Sequence, residues 1–272
     1  GRGQGVAFDI AMEKTFYERQ ALKRDLKRAV AARILDVEYQ PIVTANGYGI
    51  VGVEALLRWN HPARGAISPS VFIPLAEQSG LMDELGDFVL RQSVADLQRW
   101  PEIYVAVNLS PVQLRDHDRT QRIADALRES GVDCARVVLE ITEGVLIEEP
   151  ARIKASLEML RGLGCRIALD DFGAGYSSLA YLRQFPIDKL KIDRGFVVQL
   201  GQSDDAGVII QAVVALGRAL GLSVLVEGVE TEEQRVLLRL AGCDEMQWFL
   251  FAKPMKAQYI ATRLENARAE AA

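Results

Sequence analysis

From residue 37 onward, short apolar runs alternate with longer stretches whose apolar residues recur at helical spacing. The runs cover 50–57, 103–108, 137–141, 166–170, 189–192, 223–226 and 246–251. They are rich in Val, Ile and Leu and do not alternate with polar residues, which predicts strands buried on both faces. Between them, 81–100, 119–130, 151–163, 206–220 and 232–240 carry the period of amphipathic helices. Gly131, Gly164, Gly221 and Gly242 each follow a helical stretch, where a left-handed residue suits glycine. Seven or eight such units in about 250 residues predict an α/β fold of the TIM-type (β/α)8 barrel. A doubly wound open sheet is the competing arrangement, but its glycine-rich fingerprint after the first strand is missing.

Ahead of this rhythm, residues 11–35 are rich in Glu, Lys, Arg, Ala and Leu and contain no Gly or Pro. They predict one amphipathic helix with Phe16, Leu22, Leu26 and Val30 on a common face, read as a linker or capping helix. Glu13, Glu18 and Asp25 dilute its positive charge, which weakens a membrane-surface reading. No run of apolar residues is long enough to span a bilayer, and no signal peptide is visible. The chain is expected to be a piece of a longer protein, whose other parts could include a sensor or a membrane anchor.

Charge and composition narrow the chemistry. Lys and Arg number 32 against 37 Asp and Glu, a net charge of −5, which argues against a domain that grips a DNA or RNA polymer. The histidines are His61 and His117, and the cysteines Cys134, Cys165 and Cys243 form no CxxC. That leaves little room for a zinc site or for Ser–His and Cys–His catalysis. Buried, inert thiols in a reducing cytoplasm are the expectation. Carboxylates, amides and lysines remain.

A barrel forms its active site at the C-terminal ends of its strands. The runs end at or near Glu54 and Arg58, Asn108, Glu140 with Glu143, Asp170 with Asp171, Lys191 with Asp193, Glu227 with Glu230, and Gln247. Singly these are ordinary: a lone Glu or an Asp pair caps a helix, and a lone Lys pairs with a neighbouring acid. Their convergence is what matters. Carboxylates aimed at one mouth repel one another unless cations sit among them, and all-oxygen ligands select magnesium or manganese. Adjacent acids such as Asp170 and Asp171 can serve two ions. Lys191 then suits orienting a hydroxide or stabilising charge that develops on phosphate. The loop over 171–178 sets Gly173 and Gly175 around a small residue, as in a tight-turning lid whose serines cap the next helix. A phosphate cradle is the sharper reading of the same glycines.

With these residues laid out, the chain resembles the EAL-domain family of cyclic di-GMP phosphodiesterases. The motifs are Tyr39-Gln40-Pro41, Glu54-Ala55-Leu56-Leu57-Arg58-Trp59, Asn108-Leu109-Ser110, Glu140-Ile141-Thr142-Glu143, Asp170-Asp171-Phe172-Gly173, Leu190-Lys191-Ile192-Asp193 and Glu227-Gly228-Val229-Glu230-Thr231. They stand in the family's order over roughly 37–262.

The resemblance implies a barrel with one antiparallel strand and a site holding two Mg²⁺ or Mn²⁺ ions, with Ca²⁺ inhibitory. Glu54, Asn108, Glu140 and Asp170 would hold the first ion; Asp170 would bridge to a second that Asp171 also holds; Glu227 would complete the cluster. Lys191 would contact the nucleophilic water and act with Glu54 and Glu227 in catalysis. Glu143 would steady the lid built on Phe172, Gly173, Gly175 and Ser177. Gln40, Arg58, Asp193, Glu230 and Gln247 would contact the substrate or shape its site. The implied reaction opens cyclic di-GMP to linear pGpG, in a cytoplasmic homodimer formed through the lid and 179–185. Residues 1–12 resemble the closing segment of a GGDEF domain, 13–35 the joining helix, and 36–272 the EAL barrel. Two positions depart from the family pattern: Ala174 stands for a frequent threonine, and Trp248 for a common glycine, where an indole could crowd the mouth, stack on a guanine, or pack beside Phe249 and Phe251. The competing functions are an EAL module with little or no turnover that senses cyclic di-GMP or holds a partner, and a barrel acting on another phosphodiester.

Overall fold

The apolar runs form strands, as their composition dictates. In the computed structural model, which describes residues 2–47, 49–147, 149–173, 179–200 and 204–271, the strands, which add β1 and β3 to the seven runs, are β1 (Asp36–Thr44), β2 (Ile50–His61), β3 (Gly65–Ile67), β4 (Tyr104–Asn108), β5 (Val137–Thr142), β6 (Arg166–Phe172), β7 (Lys189–Ile192), β8 (Ser223–Val226) and β9 (Glu245–Gln247). The hydrogen-bonded order is β1-β9-β8-β7-β6-β5-β4-β2-β3, and β1 also pairs with β2. Eight strands therefore close into a barrel, with β3 attached to β2 as a hairpin extension. From β2 through β4 to β9 each pairing is parallel, while β1 runs antiparallel to β9. The (β/α)8 barrel with one reversed strand is thus observed.

The chain divides into two compact units, 1–36 with 57–85 and 37–56 with 86–272. The first holds the helix Arg2–Ala31, the outer part of β2, β3 and the helix Pro69–Glu77. Here Leu22, Leu26 and Ala29 are buried, whereas Phe16 is 58% exposed and does not share their face. The helix stops at Ala31 rather than at 35 because Arg33 turns left-handed at φ 53°, a task usually given to glycine. Trp59 is buried edge-on to Phe72, and His61 Nε2 lies 3.3 Å from Asp25 Oδ2.

The second unit is the barrel. The helix Met82–Leu97, which lies in this unit from Gly86, and the helices His117–Ser130, Pro150–Gly162, Asp204–Ala219 and Glu232–Ala241 fall on the expected segments. Gly131 and Gly242 cap two of them at φ 65° and 91°. Three features differ from the expectation, and two have local causes. β1 escaped the apolar pattern because Glu38, Gln40 and Pro41 interrupt it. β9 stops at Gln247 instead of running to 251, because Trp248 leaves the extended backbone at φ 145°. Cys134 is half-buried; only Cys165 and Cys243 are buried, and burial pushes both thiols up to about 12. Among the described residues, no helix is long and apolar enough to cross a membrane.

Candidate active site

Side chains alternate across a strand, so every second residue shares a face. Ile42, Tyr104, Ala106, Val138, Ala168 and Leu225 form one buried cluster, which identifies the inward face. Two residues further along the same face lie Asn108, Glu140 and Asp170, and Glu227 follows Leu225 just past the end of β8. Strand register sets Glu54 beside Ala106 and Asn108 beside Glu140. The same parity brings Lys191 inward from β7 and Gln247 from β9. The polar residues read at the strand ends are therefore the mouth end of the barrel interior.

They converge on Lys191, which is fully buried. Its Nζ lies 2.8 Å from Glu227 Oε1, 3.0 Å from Glu140 Oε2, 3.2 Å from Asp170 Oδ1 and 3.9 Å from Glu54 Oε2. Burial alone would push the ammonium down; Asp170, Glu140, Glu227 and Glu54 together outweigh it and hold the lysine well above its ordinary value. The acids show the converse. Burial, reinforced by the neighbouring carboxylates and opposed by Lys191, pushes Glu140 well up and Glu227 to about 7. One ammonium among four acids leaves excess negative charge in a space with little water to screen it.

Amides fix the first of these acids. Asn108 Nδ2 donates to Glu54 Oε1 at 2.8 Å, and Gln247 Nε2 donates to Glu54 Oε2 at 2.7 Å. Gln247 Nε2 also approaches Gln40 Oε1 at 3.3 Å, and Gln40 Nε2 donates to the Ala252 carbonyl at 3.1 Å. Gln40 is buried and spends its amide on this chain of contacts.

Asp170 and Asp171 are consecutive, so a regular strand would point them to opposite faces. The β6–β7 pairing slips between Leu169 and Phe172, and Asp171 adopts the left-handed φ of 55°. Such a bulge re-aims side chains next to active sites. Burial and then the charges of Asp170 and Asp193 push the Asp171 carboxyl up, while Lys191 opposes them, so both acids share one electrostatic neighbourhood. Asp171 N donates to Asp170 Oδ1 at 2.9 Å.

The remaining expected residues divide. Asp193 caps the helix Arg194–Val198, its Oδ1 accepting from Gly195 N at 2.8 Å. Glu230 Oε1 accepts from Trp248 Nε1 at 3.3 Å. Glu143 opens the turn Glu143–Ile147 that follows β5. Phe172 is buried, and Gly173 sits so close to the Phe196 ring that a Cβ would meet it at 2.4 Å. Gly175, Ser177 and Ala174 lie outside the described residues. Arg58 belongs to the first unit, where its Nη1 donates to the Leu57 carbonyl at 3.2 Å.

A second polar layer beneath the site was not anticipated. Lys189 is buried; its Nζ donates to Tyr104 Oη at 2.6 Å and to Glu245 Oε2, and Tyr104 Oη donates to the same carboxylate. The signal was present: Lys189 and Lys191 are two residues apart on one strand and share its inward face.

The donors suit hard divalent cations. Glu54, Glu140, Asp170, Asp171, Glu227 and the Asn108 amide all offer oxygen donors. Glu140 Oε2 and Lys191 Nζ are buried without an aligned hydrogen bond, so the ion pair leaves coordination capacity unused. Among the described residues, no three His, Cys, Asp or Glu side chains form a metal-sized cluster by themselves; the acids are spaced around the lysine.

Known proteins share this chain's sequence pattern and fold. The EAL domain profile matches residues 23–254. The bifunctional diguanylate cyclase/cyclic di-GMP phosphodiesterase MucR of Pseudomonas aeruginosa is 39% identical over 265 residues, 96% of this chain and 39% of that protein. The cyclic di-GMP phosphodiesterase PdeR of Escherichia coli is 38% identical over 261 residues, 94% of this chain and 39% of that one. The solved PaMucR phosphodiesterase in complex with c-di-GMP superposes with a TM-score of 0.82 at 40% identity, covering 87% of this chain and 98% of that structure. The chain spans about a third of the length of the curated relatives it matches. With the closed barrel, its reversed strand and the acid cluster at the mouth already in place, the chain belongs to the EAL domain family.

Proposed function

We propose that this chain hydrolyses cyclic di-GMP to linear pGpG. The observation that carries the reading is the convergence of Glu54, Glu140, Asp170 and Glu227 on the buried Lys191, within 3.9 Å or less, at the mouth of the barrel. Support comes from the likeness to proteins named cyclic di-GMP phosphodiesterases and to a solved relative in complex with that nucleotide.

Glu54, Asn108, Glu140 and Asp170 would hold one divalent ion, Asp170 and Asp171 a second, and Glu227 would close the cluster. Magnesium or manganese bound there would neutralise charge on the phosphodiester and make a water molecule more acidic. The protein's own groups do the rest. Lys191, held charged by its neighbours, orients the attacking water and stabilises negative charge developing on phosphate. Gln247 and Asn108 keep Glu54 in one rotamer by occupying both of its oxygens. The barrel wall beneath, with Ala106, Val138, Ala168 and Leu225, closes the site to water from below. Calcium, larger and less strict in geometry, should occupy the oxygens and support poor turnover. The substrate would meet Asp193 and Glu230, and Glu143 would steady the lid. A homodimer through the lid and 179–185, and an upstream GGDEF-like domain in a longer parent protein, complete the proposal.

Chromatographic separation of cyclic di-GMP and pGpG after incubation with manganese, magnesium, calcium or no metal tests the reading. Conversion with manganese or magnesium alone supports it. Intact substrate in every arm refutes it.

A further inference from the structure

The backbone at Trp248 is strained. Directly after β9 it takes φ 145°, a value L-residues with side chains rarely adopt, and such outliers persist where surrounding contacts over-determine them. Here those contacts are specific. The indole stacks on Phe249 with centroids 4.8 Å apart and planes at 27°. The Arg194 guanidinium stands over the same ring at 5.8 Å. Nε1 donates to Glu230 Oε1 at 3.3 Å. The Trp248 carbonyl accepts from Phe251 N at 3.1 Å and from Ala252 N at 3.2 Å, and the Ala252 carbonyl in turn holds Gln40.

These partners come from the segments that follow three different strands, Arg194 from the first turn of the helix after β7. Arg194 follows β7, Glu230 follows β8, and Phe249 follows β9. The first two loops already interlock at Gly228, whose φ is 84° and where a Cβ would lie 2.5 Å from Arg194 Cβ. The loops after β8 and β9 are joined through their backbones: Leu250 N donates to the Val229 carbonyl at 3.1 Å. The indole's stacking partners are thus supplied by the chain itself, so the ring is used as a fastener and not as an open platform for a base.

We infer that Trp248 is a positioning residue that clamps the loops after β7 and β8 to the loop after β9, fixing the rim that a cyclic dinucleotide must cross to reach Lys191. The inference rests on the proposed function for its substrate, but the clamp itself can be read without one. A clamp on the rim acts on substrate capture and leaves the acid cluster alone; a residue that only fills space would change stability and leave capture alone.

Three variants separate these. W248F keeps a ring against Phe249 and Arg194 and loses the N–H. W248G removes the ring and relieves the positive φ. E230Q weakens the acceptor. Hydrogen exchange by mass spectrometry needs no substrate: amides of 193–195 and 227–231 should exchange faster in W248F and faster still in W248G, with those of β4 to β6 unchanged. In the manganese enzyme, KM for cyclic di-GMP should rise roughly two- to fivefold in W248F, the scale of one hydrogen bond to a charged group, and about tenfold in W248G, with kcat within about twofold. W248F combined with E230Q should be no worse than the worse single variant, as partners in one contact require. Unchanged loop exchange in W248G, or a W248F that matches the parent in KM while W248G only melts earlier, would overturn the clamp. So would a W248G with lower KM than the parent, which would mean that the indole obstructs the mouth. A parent without hydrolysis but with faster loop exchange in the variants would refute the proposed function and leave the clamp standing.

Discussion

Lys191 is the residue on which the site turns. Its ammonium is surrounded by Glu227, Glu140, Asp170 and Glu54 at 2.8 to 3.9 Å. Removing a partner from a buried charge group typically costs about 3–5 kcal/mol, because the remaining charges stay behind. K191M should therefore lower turnover by about 10²-fold or more, the loss expected for one preorganised electrostatic group. It should also melt earlier than the parent, and manganese should raise its melting temperature by more than it raises the parent's. Equal manganese shifts in the two proteins would remove the idea that lysine and metal share one set of acids. Glu54 leads to a parallel expectation. E54A should abolish measurable hydrolysis, whereas Q247L, which removes one of the two amides that hold Glu54, should only weaken manganese activation by about 10- to 100-fold. A manganese titration of activity distinguishes the two, and full turnover in E54A would refute the ligand role.

At the scale of elements, the strand pleat and its one interruption decide what reaches the mouth. Asp171 occupies a left-handed backbone at the bulge in β6. D171G should fold with equal or greater thermal stability, since glycine takes that conformation without strain, and yet lose metal-dependent turnover. A D171G enzyme with parental activity would show that the second carboxylate is dispensable. Beneath the site, Gly52 faces Tyr104 so closely that a Cβ would lie 2.4 Å from the ring. G52A should destabilise the barrel by about 1–3 kcal/mol in urea unfolding, the usual cost of overpacking. The parallel strands were legible in the residues because burial on both faces writes them as unbroken Val, Ile and Leu. β1 was not, because Glu38, Gln40 and Pro41 interrupt it. The end of β9 was hidden too, since nothing in Gln247-Trp248 announces a positive φ. Every acid at the mouth could be named from its place at a strand end. Its partners could not: the Gln40–Gln247–Glu54 relay and the Lys189–Tyr104–Glu245 layer depend on inter-strand register, which a single sequence leaves open.

At the scale of the whole molecule, a net charge of −5 coexists with a proposed substrate that is itself an anion. On that proposal divalent ions would neutralise the acids at the mouth, and one buried lysine, Lys191, stands at their centre. Net charge therefore says little about the field at the mouth. One assay tests the proposed activity most directly: chromatographic measurement of cyclic di-GMP breakdown by this chain, with manganese, magnesium, calcium and no metal run side by side. The predicted result is complete conversion to pGpG with manganese or magnesium, little with calcium and none without metal. Intact cyclic di-GMP after prolonged incubation of the folded protein with manganese would contradict it.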